Sequence, residues 1–199
     1  KTPATPPRGA IGTNAFDSIY DQIGEVRRIL AGLGLNEAQG QTLVSRDECR
    51  GAKDEEIVAL ANPLSSDMDV LRPSLLPGLI QSLRHNVTRK NYDVALFEIG
   101  RVFLKNNNVT KEERRVAIAL TGQRALNFWS GAERDAKFDV TDLKGLVEEL
   151  LEQFGVRGVA ITRREAATPL FLESAAITLG GKLPLGELGL ASPDASHAE

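Results

Sequence analysis

Apolar residues recur at intervals of three and four in three stretches of the chain, and this spacing predicts three amphipathic helices. The first begins after Asn14, a candidate N-cap. We expect Gly32 and Gly34 to end it, because glycine favours the conformation that closes a helix. Its apolar face is formed by Phe16, Ile19, Ile23, Val26, Ile29, Leu30 and Leu33.

The second predicted helix begins at Ser74, whose hydroxyl can cap it. Pro77 then lies in the first turn, where the amide that proline lacks would have no partner in the helix. The apolar stripe consists of Leu75, Leu76, Leu79, Ile80, Leu83 and Val87. The third predicted helix covers residues 142–154 and begins at Thr141 or Asp139.

Runs of apolar and β-branched residues between turn signals predict the strands. They cover residues 41–45, 56–61, 92–104, 114–122, 157–163, 174–179 and 183–190. We expect the asparagines at 106–108 to form the turn of one antiparallel hairpin, and residues 180–182 the turn of another. The order is helix, strands, helix, hairpin, helix and hairpin. This order is typical of an α+β fold with an antiparallel sheet.

The first residues of the chain differ in composition from the rest. Residues 1–12 are rich in proline, threonine and glycine and are predicted to be a linker. Residues 13–199 are predicted to form one core domain. We expect this domain to be truncated at its C-terminus, and the chain to be a fragment of a longer protein.

Composition narrows the classes of protein to consider. The chain has 199 residues, of which 42% are hydrophobic and 26% charged, as in domains with a packed core. A net charge of −3 argues against a general nucleic-acid binder. Cys49 is the single cysteine, so no internal disulfide can form, and we expect a reducing, cytoplasmic location. No apolar run approaches the roughly 20 residues of a membrane helix.

Few residues point to catalysis. Cys49 would need a base, and the two histidines of the chain are His85 and His197. We therefore interpret Cys49 as a solvent-facing or semi-buried structural thiol. Asp67 and Asp69 lie two residues apart without further acidic ligands, which favours a polar turn. Neither a metal-binding nor a phosphate-binding motif occurs, so we expect no metal or cofactor site.

A basic cluster lies off the apolar stripe of the second predicted helix. It comprises Arg84, Arg89 and Lys90, together with His85 and Asn86. Arginine and lysine commonly contact phosphates, so the cluster is a candidate RNA contact. Cations are also favoured at a helix C-terminus by the helix dipole. We rank a solvated or partner-facing surface above RNA contact.

Glu98 lies in the middle of the long predicted strand. Alternation predicts one face with Ala95, Phe97 and Ile99, and the other with Leu96, Glu98 and Gly100. The carboxylate could line a ligand groove, but an ion pair with Arg114 or Arg115 on the returning strand is the commoner arrangement. Phe128 and Trp129 follow that strand, and we interpret them as core or interface anchors.

Two stretches resemble one protein family. They are NPLSSDMDVLRPSLLPGLIQSLRHNVTRKNYDVALFEIGRVF at residues 62–103 and FDVTDLKGLVEELL at residues 138–151. Both resemble the beta subunits of bacterial phenylalanine–tRNA ligases, and the resemblance covers essentially the whole chain. It implies a class II aminoacyl-tRNA synthetase-like antiparallel β-sheet flanked by helices, in a domain that no longer catalyses.

The resemblance also implies partners and cofactors. In this family the alpha subunit activates phenylalanine with ATP, and an α2β2 heterotetramer charges tRNA(Phe). ATP and magnesium are implied for the whole enzyme and not for this domain, so no catalytic, cofactor-binding or metal-binding residue is carried over. A class II enzyme holds ATP with an arginine in a glycine-rich setting, whereas GELGLAS at residues 186–192 contains none. ATPLFLES at residues 167–174 also departs from the His-Pro-Gly element that is usual in the family.

Three functions are therefore considered. The first, which we favour, is a non-catalytic scaffold that docks the alpha subunit. The second is an active adenylate-forming enzyme, and the third is an RNA-binding module that contacts tRNA through Arg84, Arg89 and Lys90. The residues expected to matter for structure or for an interface are Leu71, Arg72, Pro73, Leu76, Arg84, Asn86, Arg89, Phe97, Glu98 and Phe103.

Overall fold

The computed structural model describes residues 15–49, 51–107, 109–124 and 135–192. Within these ranges lie three α-helices: α1 (Ala15–Gly32), α2 (Leu76–Thr88) and α3 (Val140–Gln153). The strands in the same ranges are β1 (Asn36–Glu37), β2 (Leu43–Val44), β3 (Val58–Ala59), β4 (Val70–Leu71), β5 (Val94–Asn106), β6 (Val109–Thr121), β7 (Val159–Arg163), β8 (Phe171–Leu179) and β9 (Leu183–Ala191).

The strands form three small sheets. β5 lies between β1 and β6, β4 between β2 and β3, and β8 between β7 and β9. All strand pairs are antiparallel except β1 with β5, which is parallel. The predicted α+β fold with antiparallel sheets is confirmed. β1 was not predicted, because a strand of two residues leaves no alternating pattern in the sequence.

The β5–β6 hairpin is the central element and is packed on both faces. Against α2, the buried residues of the core are Leu75, Leu79, Val94, Leu96, Val102 and Ala117. On the opposite face, Phe97 packs with Leu30 of α1 and with Leu35, and the half-buried Leu146 and Leu150 of α3 join them. The predicted alternation along β5 is therefore confirmed. The hairpin lies between α2 on one side and α1 with α3 on the other.

α1 ends where the two glycines predict. Gly34 has a φ of 90°, which glycine adopts at no steric cost, and the amide of Leu35 donates to the carbonyl of Leu30. Of the predicted apolar face, Ile29 and Leu30 are buried, whereas Ile19 and Leu33 are exposed. The core therefore covers only part of this helix. The predicted cap at residue 14 and the side chain at position 16 lie outside the described residues.

The starts of α2 and α3 show two kinds of cap. Ser74 lies one residue before the N-cap position of α2, and its hydroxyl accepts the amide of Leu76 at 3.2 Å. In α3 the cap is Asp139 and not Thr141, since its carboxylate accepts the amides of Thr141 at 2.7 Å and Asp142 at 3.0 Å. The amide of Asp142 is the main reason that the pKa of Asp139 lies below its usual value.

Several predicted strand boundaries are wrong by a few residues. The strands predicted at 41–45 and 56–61 shorten to β2 and β3, since each pairs with β4 over two residues. β6 begins at 109 and not at 114, so the hairpin includes the charged run KEERR. Strand structure persists there because the charged run pairs with β5 as far as Val109 opposite Asn106, and Lys111 and Arg115 both pair with Glu113, each at 2.7 Å. The second predicted hairpin, between β8 and β9, is confirmed.

Some predictions fall on residues that the structure does not describe. These are the linker at residues 1–12, the aromatic pair Phe128 and Trp129, and His197. Among the described helices, none combines the length and the apolar character that crossing a membrane requires.

Candidate functional site

Arg72 and Glu98 form a buried ion pair beneath the hairpin. Arg72 follows β4 directly and is 7% exposed, while Glu98 lies in the middle of β5 and is 2% exposed. Nη1 of Arg72 donates to Oε1 of Glu98 at 2.6 Å. A buried charge is strongly unfavourable unless it is paired and hydrogen-bonded. Each residue therefore depends on the other for its place in the core.

The pair also fastens three separate backbone segments. Nε of Arg72 donates to the carbonyl of Arg101 at 3.0 Å, and the amide of Gly40 donates to Oε1 of Glu98 at 3.1 Å. The backbone of Arg72 adds two bonds, from its own amide to Thr42 and from the amide of Phe103 to its carbonyl, both at 3.0 Å. The pair thus joins the loop after β1, the segment between β4 and α2, and β5.

Two glycines give the guanidinium its space. A β-carbon at Gly100 would stand 2.3 Å from Nη2 of Arg72 and 2.9 Å from a methyl of Leu75. A β-carbon at Gly40 would stand 3.2 Å from Oε2 of Glu98. The guanidinium therefore lies directly against the strand, and a glycine inside a strand marks such a close approach.

The predicted partner of Glu98 is wrong. Its carboxylate pairs with Arg72 and not with Arg114 or Arg115. Arg114 stands opposite Arg101, on the other face of the hairpin, and Arg115 is held by Glu113. Arg72 lies 26 positions away in the sequence and in no predicted strand. The sequence did contain one signal of this pairing, since Glu98 lies between apolar residues of a strand. A carboxylate buried at such a position needs a cation from another part of the fold as its partner.

The structure places the remaining predicted residues mostly inside the molecule. Phe97 and Pro73 are buried, and Leu71, Leu76 and Phe103 are half-buried. These positions suit a structural role, and an interface role for them stays a prediction.

The basic cluster lies at the end of α2. The side chains of Arg84, His85, Arg89 and Lys90 are exposed. Nη1 of Arg89 donates to the carbonyl of His85 at 3.2 Å and lies 2.9 Å from its Nδ1. Asn86 is half-buried and donates to the carbonyl of Ser82 at 2.9 Å. Arg89 and Asn86 thus bond to groups in the last turns of the helix, as expected at a helix end.

Cys49 is buried, so the solvent-facing position that was one of the two predicted for it is wrong. Its burial agrees with the predicted structural role. Its thiol lies 3.6 Å from the carbonyl of Ser45. Burial raises the pKa of Cys49 from 9.0 to about 11, so the reactive thiolate is scarce at neutral pH. The thiol is therefore unsuited to act as a nucleophile.

The surroundings of the pair, as far as the described residues show them, contain a small cavity and no cluster of metal ligands. Across the described ranges, no group of three or more His, Cys, Asp or Glu side chains is placed to hold a metal ion. The cavity beside Arg72, bordered by Glu48 and Ser74, has a volume of about 10 Å³, which admits about one water molecule. Asp67 and Asp69 lie in a polar turn as predicted: Ser65 accepts the amide of Asp67, and Asp69 accepts the amide of Arg46.

Known protein structures share this fold. A pyrrolysyl-tRNA synthetase from Desulfitobacterium hafniense superimposes with a TM-score of 0.64 over 85% of this chain and 55% of that chain. The two sequences are 15% identical, so the likeness concerns the fold alone. It confirms the predicted class II aminoacyl-tRNA synthetase-like architecture.

Sequence comparisons identify the family. The phenylalanine–tRNA ligase beta subunit of Bacillus cereus (strain ZK / E33L) is 34% identical over 202 aligned residues, which cover 97% of this chain. The beta subunit of Fusobacterium nucleatum is 39% identical over 147 residues, or 70% of this chain. The chain spans 24% and 18% of the length of these two relatives. The family model described as "Phenylalanyl tRNA synthetase beta chain CLM domain" matches residues 2–198, and the chain therefore belongs to this family.

Proposed function

We propose that the chain is a non-catalytic scaffold module of the beta subunit of phenylalanine–tRNA ligase, an enzyme that charges tRNA(Phe) with phenylalanine using ATP. The observation that carries the proposal is the buried pair of Arg72 and Glu98. These charged residues belong to the family-like stretch at 62–103, and both are turned inward to join backbone segments. An ion pair whose hydrogen bonds all go to other parts of the same chain suits a scaffold better than a catalyst.

The proposed partner is the alpha subunit, in an α2β2 assembly. Exposed apolar side chains in the stretch at 62–103 support a docking role. Leu64, in the loop before β4, is 99% exposed, and Tyr92, between α2 and β5, is 56% exposed. Surfaces that meet another protein typically expose apolar side chains as one patch, and in this proposal Leu64 and Tyr92 belong to such a patch. Since both residues belong to the stretch at 62–103, we assign the docking surface to this stretch.

In this proposal, ATP, magnesium and the activation of phenylalanine belong to the rest of the enzyme, and the module itself holds no cofactor. The module is placed in the cytoplasm, where a lone buried thiol stays reduced. Residues 13–199 are proposed as one domain that follows a linker.

Retention of the chain by an immobilised alpha subunit tests the docking role. We expect the wild-type chain to be retained and the double variant Leu64→Asp with Tyr92→Asp to lose most of the retention. Val109→Asp is the matched control, because Val109 is 68% exposed and lies at the hairpin tip outside the proposed surface. A folded wild-type chain that is not retained would disprove the docking role.

Two further assays separate the scaffold from the other two functions. ATP–pyrophosphate exchange by the chain alone should be absent, and measurable exchange would favour an adenylate-forming enzyme. Binding of tRNA(Phe) should be weak and unaffected by Arg89→Glu with Lys90→Glu. Tight binding that falls steeply with salt and is lost in this variant would favour an RNA-binding module.

A further inference from the structure

α2 ends in a backbone arrangement that glycine usually occupies. The amide of Lys90 donates to the carbonyl of Val87 at 2.9 Å. The next amide, that of Asn91, donates to the carbonyl of Asn86 at 3.1 Å. These two bonds form a Schellman motif, in which the residue after the C-cap is left-handed and is most often glycine. Lys90 occupies that position with a φ of 68°, which a residue with a β-carbon adopts only at a cost in energy.

The side chain of Lys90 does not offset this cost within the chain. It is exposed, and its ammonium group makes no hydrogen bond or ion pair with the residues that the structure describes. Over the same residues, the other non-glycine position with a positive φ is Asn107 in the hairpin turn, and asparagine tolerates this conformation well. Strained residues cluster at functional sites, so the conformation of Lys90 points to a use of its side chain outside the chain.

The neighbouring cations of the basic cluster are already engaged. Nη1 of Arg89 donates to the carbonyl of His85 and lies against its ring nitrogen. Arg84 also has an interaction within the chain. Lys90 therefore supplies the free ammonium group of this cluster. RNA is held by several cations that neutralise several phosphates, whereas a single free ammonium group matches a single carboxylate.

Lys90 lies beside an exposed aromatic residue of the proposed docking surface. Tyr92 follows it by two positions, and both residues belong to the stretch at 62–103. Protein interfaces commonly place charged groups around aromatic contacts, where a charge matched on the partner sets the orientation of docking.

We propose that Lys90 forms an ion pair with a carboxylate of the alpha subunit when the two subunits dock. The left-handed backbone at the end of α2 is then the cost of placing an ammonium group on the docking surface. This inference rests on the proposed function and adds to it the chemical nature of one contact.

Four variants separate the charge of Lys90 from its backbone conformation. Lys90→Gly removes both the charge and the strain, so its melting temperature should rise by about 2 °C. Its affinity for the immobilised alpha subunit should nevertheless fall by about five- to tenfold. Lys90→Gln removes only the charge and should lose the same affinity at an unchanged melting temperature, whereas Lys90→Arg should retain the affinity. Lys182→Gln is the matched control, because Lys182 is an exposed lysine in the turn between β8 and β9.

Carbodiimide coupling identifies the group that Lys90 contacts. The reagent activates a carboxylate, and an amine in direct contact then displaces the activating group to form an amide bond. Mass spectrometry of the digested complex should find Lys90 joined to an aspartate or glutamate of the alpha subunit. Lys182 should not be joined to that subunit, and Lys90→Arg should bind without forming the cross-link.

Three results would overturn the inference, and they separate it from the docking role itself. If the Leu64→Asp and Tyr92→Asp double variant loses retention but folded Lys90→Gln binds as tightly as wild type, docking stands and the ion pair does not. If Lys90→Gln instead weakens the binding of tRNA(Phe) and leaves retention unchanged, the partner is a phosphate. If the folded wild-type chain is not retained at all, both the docking role and the ion pair are disproved.

Discussion

The guanidinium of Arg72 lies where a side chain at position 100 would stand. A β-carbon at Gly100 would be 2.3 Å from Nη2 of Arg72, closer than any relaxed contact between such atoms. Strand β5 thus contains a glycine because the ion pair with Glu98 needs the space beside the backbone.

Gly100→Ala should therefore destabilise the fold by about 1–3 kcal/mol, the usual cost of overpacking a core. Gly145→Ala is the matched control, since a β-carbon at Gly145 in α3 would meet no atom within 4 Å. There alanine should stabilise the helix by about 0.5–1 kcal/mol. Urea unfolding followed by circular dichroism measures both. Equal effects of the two substitutions would contradict the close approach.

Removing one member of the ion pair should cost more than removing both. Arg72→Met or Glu98→Leu alone leaves a buried charge unpaired and should lower the free energy of unfolding by about 3–5 kcal/mol. The double variant should recover much of this loss, because no charge then remains. A double-mutant cycle measures the coupling, and additive effects would show that the pair does not act as a unit.

Cys49 should resist labelling in the native state. Its pKa of about 11 and its burial leave little thiolate at pH 8, so a thiol reagent should react only after urea unfolds the chain. The raised pKa means that the folded state holds the proton more tightly. Its contribution to stability is thus complete below pH 9 and is lost as the pH rises towards 11. Cys49→Ala should remove this part of the alkaline decline. Rapid labelling of the native chain at pH 8 would contradict the buried thiol.

Asp139 should make α3 sensitive to acid. Its lowered pKa means that its contribution is present above the unfolded-state value and is lost as the pH falls through the lower, folded-state value. Asp139→Ala should lower the melting temperature at neutral pH by about 2–4 °C. Asp139→Asn keeps a cap without the titrating charge, so its melting temperature should respond less to acid. Scanning calorimetry between pH 2 and 7 provides the comparison, and identical acid profiles for Asp139→Asn and wild type would contradict the role of the charge.

Periodic elements were the most predictable part of the fold. The end of α1 at Gly32, the long hairpin and the turn before β9 all follow from local patterns that packing did not override. β1 and β4 were missed because each consists of two residues that owe their strand form to distant partners. The charged start of β6 was missed because a run of charged residues does not look like a strand in the sequence, and its strand form comes from pairing with β5.

The residues of the candidate site could be predicted from the sequence, but the contacts between them could not. Arg72 and Glu98 were both selected from the sequence, but their pairing brings together residues from two elements that no local pattern relates. The sequence shows that Glu98 needs a cationic partner, because its two neighbours in the strand are apolar. Which arginine supplies it depends on how the segment after β4 crosses the sheet.

The same connections constrain the order in which the molecule folds. The β5–β6 hairpin joins neighbours in sequence, so its loop closes at little entropic cost. Arg72 and Gly40 lie 26 and 58 positions from Glu98 in the sequence. Their hydrogen bonds to Glu98 are shielded from water only after the segments that contain them have docked. We expect the hairpin to form early and the charged pair to close late. Substitutions at the pair would then mainly speed unfolding and leave the folding rate almost unchanged.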